Sequence, residues 1–325
     1  MDSVLRLLAK PGLHSIEALC AALALTPEQL SAHMDALRQR GYRIDEAGGQ
    51  GYTLLPKADT LLPAYVWRGL ETAVFGRGEI LYAPAMDSTN TQLKHAAAER
   101  VLPEGSLAVC ERQTAGRGRL QRVWDDPAAG ESLTCSLLLR PQLPREQVHL
   151  VTLAAAVAAA EALASFGTDA RIKWPNDVVI RGRKCVGILC ETTMDPSGAL
   201  CVVAGAGFNV NQRAFTGELA DKATSLWLQT GVVGDRCQLL CRYLLHLESA
   251  VRLIEQRGFT ALMPAYAARS VTLGVRVRVI GAAEAFVGMA QSIDADGALL
   301  VLDDRGVLHR VISGDVSVRG VMGYV

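Results

Sequence analysis

Apolar residues recur at helical spacing through the first forty positions and then give way to alternation. Ser3 to Lys10 and Ile16 to Leu23 each carry such a stripe. In "TPEQLSAHMDALRQRG", Thr26 can cap a helix, Pro27 suits its first position and Gln29 completes a capping box. Leu30, Met34 and Leu37 form one apolar face, and Gly41 ends the helix. "YRIDEAGGQGYTLL" then alternates around a Gly-rich turn, the pattern of a β-hairpin. Helix, helix, turn, helix, hairpin predicts a winged helix-turn-helix over residues 1–60, although a small interaction domain has the same helices.

A short stretch between Pro56 and Pro63 leads to a second unit, 64–270. "EILYA" and "SLAVCER" read as strands with a helix from Thr91 to Arg100 between them, and "SLTCSLLL", "ARIKW", "DVVI", "KCVGILCE" and "LCVVAGAGF" continue the sheet. Several are separated by very few residues. That predicts a mixed, largely antiparallel sheet with helices, not a Rossmann alternation. The tail, 271–325, alternates valine with arginine in "VTLGVRVRVI" and continues as short strands and turns, predicting an SH3-like β-barrel. The fold class is therefore α+β and multidomain.

Composition narrows the function. Lys+Arg equals Asp+Glu at 33 each, and residues 1–60 hold six Lys/Arg against seven Asp/Glu. No bulk basic field exists, so any DNA binding rests on local geometry. The eight cysteines include no C-x-x-C pair and mostly sit in apolar runs, which reads as buried thiols in a reducing, cytoplasmic compartment. The six histidines are scattered, so no metal site of the chain's own is predicted. Leu150 to Phe166 is Ala-rich and carries Glu161, so it reads as a packed helix and no membrane span is expected. Nor does the N-terminus show a signal-peptide pattern.

Two stretches carry candidate chemistry. "ERQTAGRGRLQRVW", Glu111 to Trp124, puts four arginines and two glycines into fourteen residues. Glycine lets backbone approach a ligand, and arginine offers a planar donor fork for carboxylates and phosphates. A solvated surface loop can have the same composition. In "KWPNDVVIRGRKCVGILCE", Pro175 breaks a strand, so Asn176 and Asp177 sit at a corner and an "RGR" turn returns Lys184 alongside. Turn stabilisation and an edge lysine are the plain alternatives. At "MDSTNTQL", Ser88, Thr89 and Asn90 either cap a helix or read a compact polar head group. In "VVAGAGFNVN", Gly205 and Gly207 admit either a ligand or close packing, with Asn209 following. No P-loop occurs, and "GAGFNV" lacks the third glycine of a dinucleotide fingerprint.

Together, D-S-T-N, Q-x-x-G-R-G-R, K-W-P-N-D with R-K-x-x-G-I-L, and G-x-G-x-N resemble biotin protein ligases. With the predicted flanking units the resemblance extends over essentially the whole chain and is to the bifunctional type that also represses biotin operons. It implies ATP-dependent formation of biotinyl-5'-AMP and transfer of biotin to a lysine of the biotin carboxyl carrier protein of acetyl-CoA carboxylase, with Mg²⁺ carrying the departing pyrophosphate. Catalysis would rest on Lys184, Arg117, Arg119 and Asp177. Biotin would meet Ser88, Thr89, Asn90, Gln113, Gly116, Arg117, Gly118, Arg119, Lys184, Gly187 and Gly205. ATP would meet Arg119, Arg122, Trp124, Asn176, Asp177, Gly207, Asn209 and Arg319.

The resemblance also implies operator DNA as a partner and a homodimer when the adenylate is bound. On the helix Pro27 to Arg40, Gln29, Ala32, His33 and Ala36 would face bases, with Arg38, Arg40 and Arg43 near phosphates. Two departures stand out. Gln121 replaces the later glycine usual in G-R-G-R-x-G-R, and the recognition helix is less basic than a repressor's. A ligase without DNA binding, a lipoate-type ligase and a biotin-sensing repressor without catalysis are the alternatives.

Overall fold

The structure, a computed structural model, describes residues 2–126, 128–280, 285–312 and 317–320. Its N-terminal unit contains α1 (Asp2–Leu8), β1 (His14–Ser15), α2 (Ile16–Leu23), α3 (Pro27–Gln39), β2 (Ile44–Glu46) and β3 (Gly51–Leu54). The α3 capping box is formed in both directions: Gln29 N donates to Thr26 Oγ1 at 3.3 Å, and Thr26 N donates to Gln29 Oε1 at 2.9 Å. Leu30, Met34 and Leu37 are fully buried, as the stripe predicts. The hairpin pairs β2 with β3, and β1 adds a third strand, in the order β1-β3-β2. Two residues of β1 were too few to leave a period in the sequence.

The stretch after Pro56 is less of a linker than its prolines suggested. Pro63 opens a helix, α4 (Pro63–Gly69), whose Ala64, Val66 and Trp67 are buried. The Arg68 guanidinium donates to the carbonyls of Leu8, Ala9 and Leu54. Tyr65 stacks on Tyr42 with ring centroids 5.9 Å apart. Arg6 lies 4.2 Å from the Trp67 ring centroid and donates to the carbonyls of Arg77 and Gly78. These contacts fasten the N-terminal unit to the central one.

The central unit runs β4 (Ile80–Met86), α5 (Thr89–Glu99), β5 (Leu107–Gln113), β6 (Ser132–Leu139), α6 (Leu150–Ala164), β7 (Ala170–Lys173), β8 (Asp177–Ile180), β9 (Arg183–Met194), β10 (Leu200–Asn209), α7 (Leu226–Thr230), α8 (Arg236–Arg257) and α9 (Met263–Arg269). The seven strands order as β4-β5-β6-β10-β9-β8-β7. Only β4 with β5 is parallel in this sheet, which is therefore mixed, as expected. Helix α5 starts two residues earlier than its pattern suggested, because Ser88 caps it through Thr91 N.

The alternation of side chains along the strands divides the sheet into two faces. One face packs on α6 and α8, where Phe208 meets Tyr243 edge-on with centroids 5.2 Å apart. The alanines of α6 are buried to 0% exposure from Ala154 to Ala156 and from Ala158 to Ala160, small enough to let the helix lie close between sheet and α8. This is also why a helix apolar enough to cross a membrane is here a core element. On the opposite face α5 covers one end through Leu93 and Ala97 against Ala108, Leu138 and Val203. The other end is uncovered by helix.

The C-terminal unit is a five-stranded antiparallel sheet of β11 (Arg276–Ile280), β12 (Phe286–Ile293), β13 (Leu299–Asp303), β14 (Leu308–Val311) and β15 (Ser317–Gly320), ordered β14-β13-β12-β11-β15. It abuts the central unit at Trp174, whose indole Nε1 donates to Gly297 O at 3.2 Å.

Candidate functional site

Strand register builds the floor of the site. Ser136 pairs with Gly205, Thr134 with Gly207 and Ser132 with Asn209. On the next strand Gly205 pairs with Leu189 and Gly207 with Gly187, and Gly187 in turn faces Asp177. The period of two thus puts three hydroxyls, three glycines and Asn209 on the face that α5 leaves open. Above this floor lies a cavity of about 550 Å³.

At the α5 end the polar groups interlock. Gln113 Oε1 accepts from Thr89 N at 2.8 Å and from Thr89 Oγ1 at 3.2 Å. Ser136 Oγ lies 2.6 Å from Asn90 Oδ1, and Asn90 Nδ2 donates to Leu189 O and Glu191 Oε2. Both amide hydrogens of Asn90 are thereby engaged with the protein, so Asn90 shapes this end as a wall. A Cβ on Gly205 would collide with Asn90 Oδ1, which explains why the strand needs glycine there. Ser88, Thr89 and Asn90 are all at most 4% exposed.

The middle of the cavity holds the charge. Lys173 and Asp177 pair across the β7–β8 corner, whose Trp174–Pro175 peptide is cis. Arg181 and Gly182 both have positive φ, 49° and 75°, the geometry of a two-residue hairpin turn matched to strand twist. A bulge follows, Val178 facing Val186 but Val179 facing Lys184. Bulges re-aim side chains; here Lys184 Nζ reaches 2.6 Å from Asp177 Oδ1. Asn176 Nδ2 donates to Ile188 O and its Oδ1 accepts from Arg119 Nη1 at 3.0 Å.

The Gly/Arg stretch is a small hairpin folded over this middle. Trp124 N donates to Gly116 O, Gly118 N donates to Arg122 O, and Leu120 turns the tip with φ 55°. Gly116 is buried against Trp124, and the Trp124 indole lies against Gly187 and Gly207, either of which would clash with it if it carried a Cβ. Arg117 Nη2 donates to Thr91 Oγ1 at 3.0 Å and lies 3.5 Å from Glu191. Arg122 lines the same cavity, exposed. At the far end Asn209 Nδ2 donates to Thr224 O, and the segment around Lys222 and Ala223 pairs with the backbone of Lys184.

The structure therefore gathers Ser88, Thr89, Asn90, Gln113, Arg117, Gly118, Arg119, Arg122, Trp124, Asn176, Asp177, Lys184, Gly187, Gly205, Gly207 and Asn209 around one cavity, with Gly116 beneath the loop. Arg319 lies on β15 opposite Arg278, and its side chain falls outside the described residues, as does that of Gln121. Sequence reasoning missed Ser136, Glu191 and Asp126. The alternation in "SLTCSLLL" was a signal for Ser136; Glu191 acts through partners far away in sequence, and Asp126 through Gln113 and Arg112 across the feet of the loop.

Electrostatics sharpen these placements. Burial works to raise the pKa of Glu191, but Lys94 at 2.8 Å, Asn90 and Arg117 outweigh it and hold the carboxyl below its ordinary value. Burial pushes the Cys135 thiol, in the cavity wall, up to about 12, so it stays protonated and unreactive at neutral pH. All eight cysteines are free.

The residues placed for DNA lie on α3 and after it. Ala32 is exposed and Ala36 half-buried. The Gln29 side chain closes the capping box, and His33 Nδ1 lies 2.8 Å from Gln29 O. Arg38 binds Asp35 and the Ile44 carbonyl, and Arg43 binds the Pro56 carbonyl. Arg40 is exposed.

Residues 82–209 match the Biotin/lipoate A/B protein ligase family, and residues 272–319 match the biotin protein ligase C-terminal domain. The chain is 35% identical to the bifunctional ligase/repressor BirA of Bacillus spizizenii over 91% of its own length and 90% of that protein's. This chain belongs to the biotin protein ligase family. It is also 35% identical to the biotin–[acetyl-CoA-carboxylase] ligase of Mycobacterium tuberculosis, over 79% of this chain and 97% of that one, and its enzyme class is that of these ligases. The biotin protein ligase of Aquifex aeolicus, solved in complex with biotin and ATP, superposes with a TM-score of 0.66 at 29% identity, covering 74% of this chain and 99% of that one.

Proposed function

We propose that this ligase activates biotin as biotinyl-5'-AMP and transfers it to a lysine of a carrier domain of acetyl-CoA carboxylase. The observation that carries this reading is the single cavity with a polar head-group end, a Lys184–Asp177 pair in its middle and an arginine-bearing hairpin over it. Thr89, Gln113 and Ser88 would meet the ureido ring, with Asn90 as its wall and Gly205 beneath. Trp124, Gly207 and Asn209 would meet the nucleotide, and Arg122, Asn176 and Arg319 would serve its phosphates and base.

A carboxylate is already a nucleophile at neutral pH, so no activating base is required. The barrier is repulsion between the biotin carboxylate and the α-phosphate, and cations fixed at that point lower it. Lys184, held by Asp177, Arg117 and Arg119 supply them. A biotin oxygen bonds to the α-phosphorus and pyrophosphate leaves. The acceptor amine then attacks the acyl carbon, gives up a proton, and AMP departs. Between the steps the hairpin keeps water from the anhydride.

Mg²⁺ would enter with the triphosphate. Among the described residues no group of three or more His, Cys, Asp or Glu side chains converges, and Asp177 is engaged by Lys184.

A second activity, biotin-responsive repression by a homodimer on operator DNA, is favoured by α1 to β3, which run in the order of a winged helix-turn-helix, and by the bifunctional name of the Bacillus relative. Incubating the protein with MgATP, biotin and an acceptor domain tests the ligase reading through the biotinylated product. Preferred transfer of lipoate under matched conditions overturns it.

A further inference from the structure

The Gly/Arg hairpin leaves the sheet at Gln113, the last residue of β5, and its other foot comes down at Asp126. Asp126 is 5% exposed, although the residue before it is exposed. Its Oδ2 accepts from Gln113 N at 2.7 Å. Its backbone carbonyl accepts from Arg112 Nε at 3.3 Å, so side chain and main chain both reach across the feet of the loop. Burial raises the pKa of this carboxyl, against the hydrogen bond from Gln113 N, and its Oδ1 is buried with no hydrogen-bond partner among the described residues. Burying a carboxylate is costly, so its side-chain bond to Gln113 N marks what it holds in place.

What depends on it is Gln113. The side chain of Gln113 accepts from both Thr89 N and Thr89 Oγ1, and so forms part of the head-group end of the cavity. We propose that Asp126 is a positioning residue: it staples the two feet of the hairpin together, fixes Gln113 against Thr89, and confines loop motion to residues 116–125, since Thr114 N and Ala115 N are already bound to the Met86 and Asp87 carbonyls. The inference rests on the ligase reading above. The staple makes the closed loop a hinged flap on a fixed base, so that opening admits substrate without disturbing the head-group pocket.

The test uses the full chain and three proteins: wild type, Asp126→Asn and Asp126→Ala. The amide oxygen of Asn can accept from Gln113 N as the carboxylate does, so Asp126→Asn is expected within about twofold of wild type. Asp126→Ala should raise KM for biotin about tenfold, the scale of one lost hydrogen bond. It should also shorten the residence of biotinyl-AMP, read as labelling of bystander protein. A fall in Tm without either change would mean a structural role only and would overturn the proposal. So would an Asn variant as impaired as the Ala one.

Amide hydrogen exchange on wild type covers the case in which Asp126→Ala does not fold. The Gln113 amide should be protected with or without ligand, while Gly118, whose bond to Arg122 O is made within the flap, should exchange faster and slow when ligand binds. A Gln113 amide exchanging as fast as Gly118 overturns the staple. Because exchange needs no turnover, it separates failure of the staple from failure of the ligase reading, which would appear as no adenylate from wild type.

Discussion

Lys184 Nζ stands 2.6 Å from Asp177 Oδ1, on neighbouring strands brought into reach by a bulge at Val178 and Val179. The pair is partly exposed to the cavity, 29% and 16%. A carboxylate here keeps the ammonium aimed without covering it. Removing the amine by Lys184→Ala should cost about 2.7–4 kcal/mol in the adenylation barrier, the usual loss for one transition-state charge contact. Single-turnover formation of biotinyl-AMP measures it, with the urea midpoint as control. An unchanged rate would return Lys184 to an ordinary edge lysine.

Arg119 reaches across the cavity to Asn176, tying the hairpin to the corner after Pro175. Arg119→Gly should leave a folded enzyme, because the residue is partly exposed and sits in a loop at the cavity edge, outside the core. On the proposed reading the bridge to Asn176 would be part of the clamp on the adenylate, so the variant should release the intermediate into solution. Free adenylate acylates any exposed lysine. Bystander labelling no greater than wild type would refute the clamp.

Local chemistry was legible before the structure. Thr26, Pro27 and Gln29 announced α3, and the motif around Pro175 announced a corner returning Lys184 to Asp177, because turn and cap signals lie within a few residues of one another. What was not legible depends on distant partners. Nothing near Glu191 in sequence indicates Asn90 or Lys94, about one hundred positions away. The same holds for Arg236 at the start of α8. It is buried between Asp59 and Glu111 at 2.7 Å each, and no local pattern foretells it.

Two glycines on β10 give a contrast within one strand. A Cβ at Gly205 meets Asn90, whereas one at Gly207 meets the Trp124 indole. Overpacking of this kind costs about 1–3 kcal/mol. Gly205→Ala should therefore raise KM for biotin and Gly207→Ala KM for ATP, by about 5- to 100-fold on that scale. Steady-state kinetics with each substrate varied in turn decides it. If both variants shift the same KM, the two ends of the cavity have been assigned wrongly.

Asp195 sets an acid limit away from the site. Its carboxyl accepts from the Ser197 hydroxyl and from Ser197 N and Ala199 N, and Arg140 lies 2.7 Å away. These bonds, the Ser197 hydroxyl first, hold its pKa down to about 2. A folded pKa below the unfolded value of about 3.9 means stability that is present above that value. It is lost as pH falls through about 2. Asp195→Asn should be less stable than wild type at pH 6, and the gap should narrow steadily below pH 4. Urea midpoints that stay equally far apart down to pH 2 would exclude the linkage.

Helix α3 is oriented by its capping box and buried stripe, which leaves Ala32 and Arg40 outward. Arg38 and Arg43 already serve their own hairpin and the Pro56 carbonyl, and Gln29 is spent on the cap. With so few cations per chain, the phosphate term is small, and one copy should bind operator weakly. Two copies on a two-fold site double the contacts and gain effective concentration. On the proposed reading, closing the hairpin over biotinyl-AMP would change the surface of the central unit and would be the trigger for pairing. Gel-shift titrations over promoters of biotin-synthesis genes should show binding only with biotin and ATP present, steep in protein concentration and weakened by salt. Ala32→Glu, which places a charge on the outward face, should abolish the shift while biotinylation continues. A shift that survives Ala32→Glu would move the DNA surface off α3, and no shift at any ligand concentration would leave α1 to β3 as a unit serving the ligase alone.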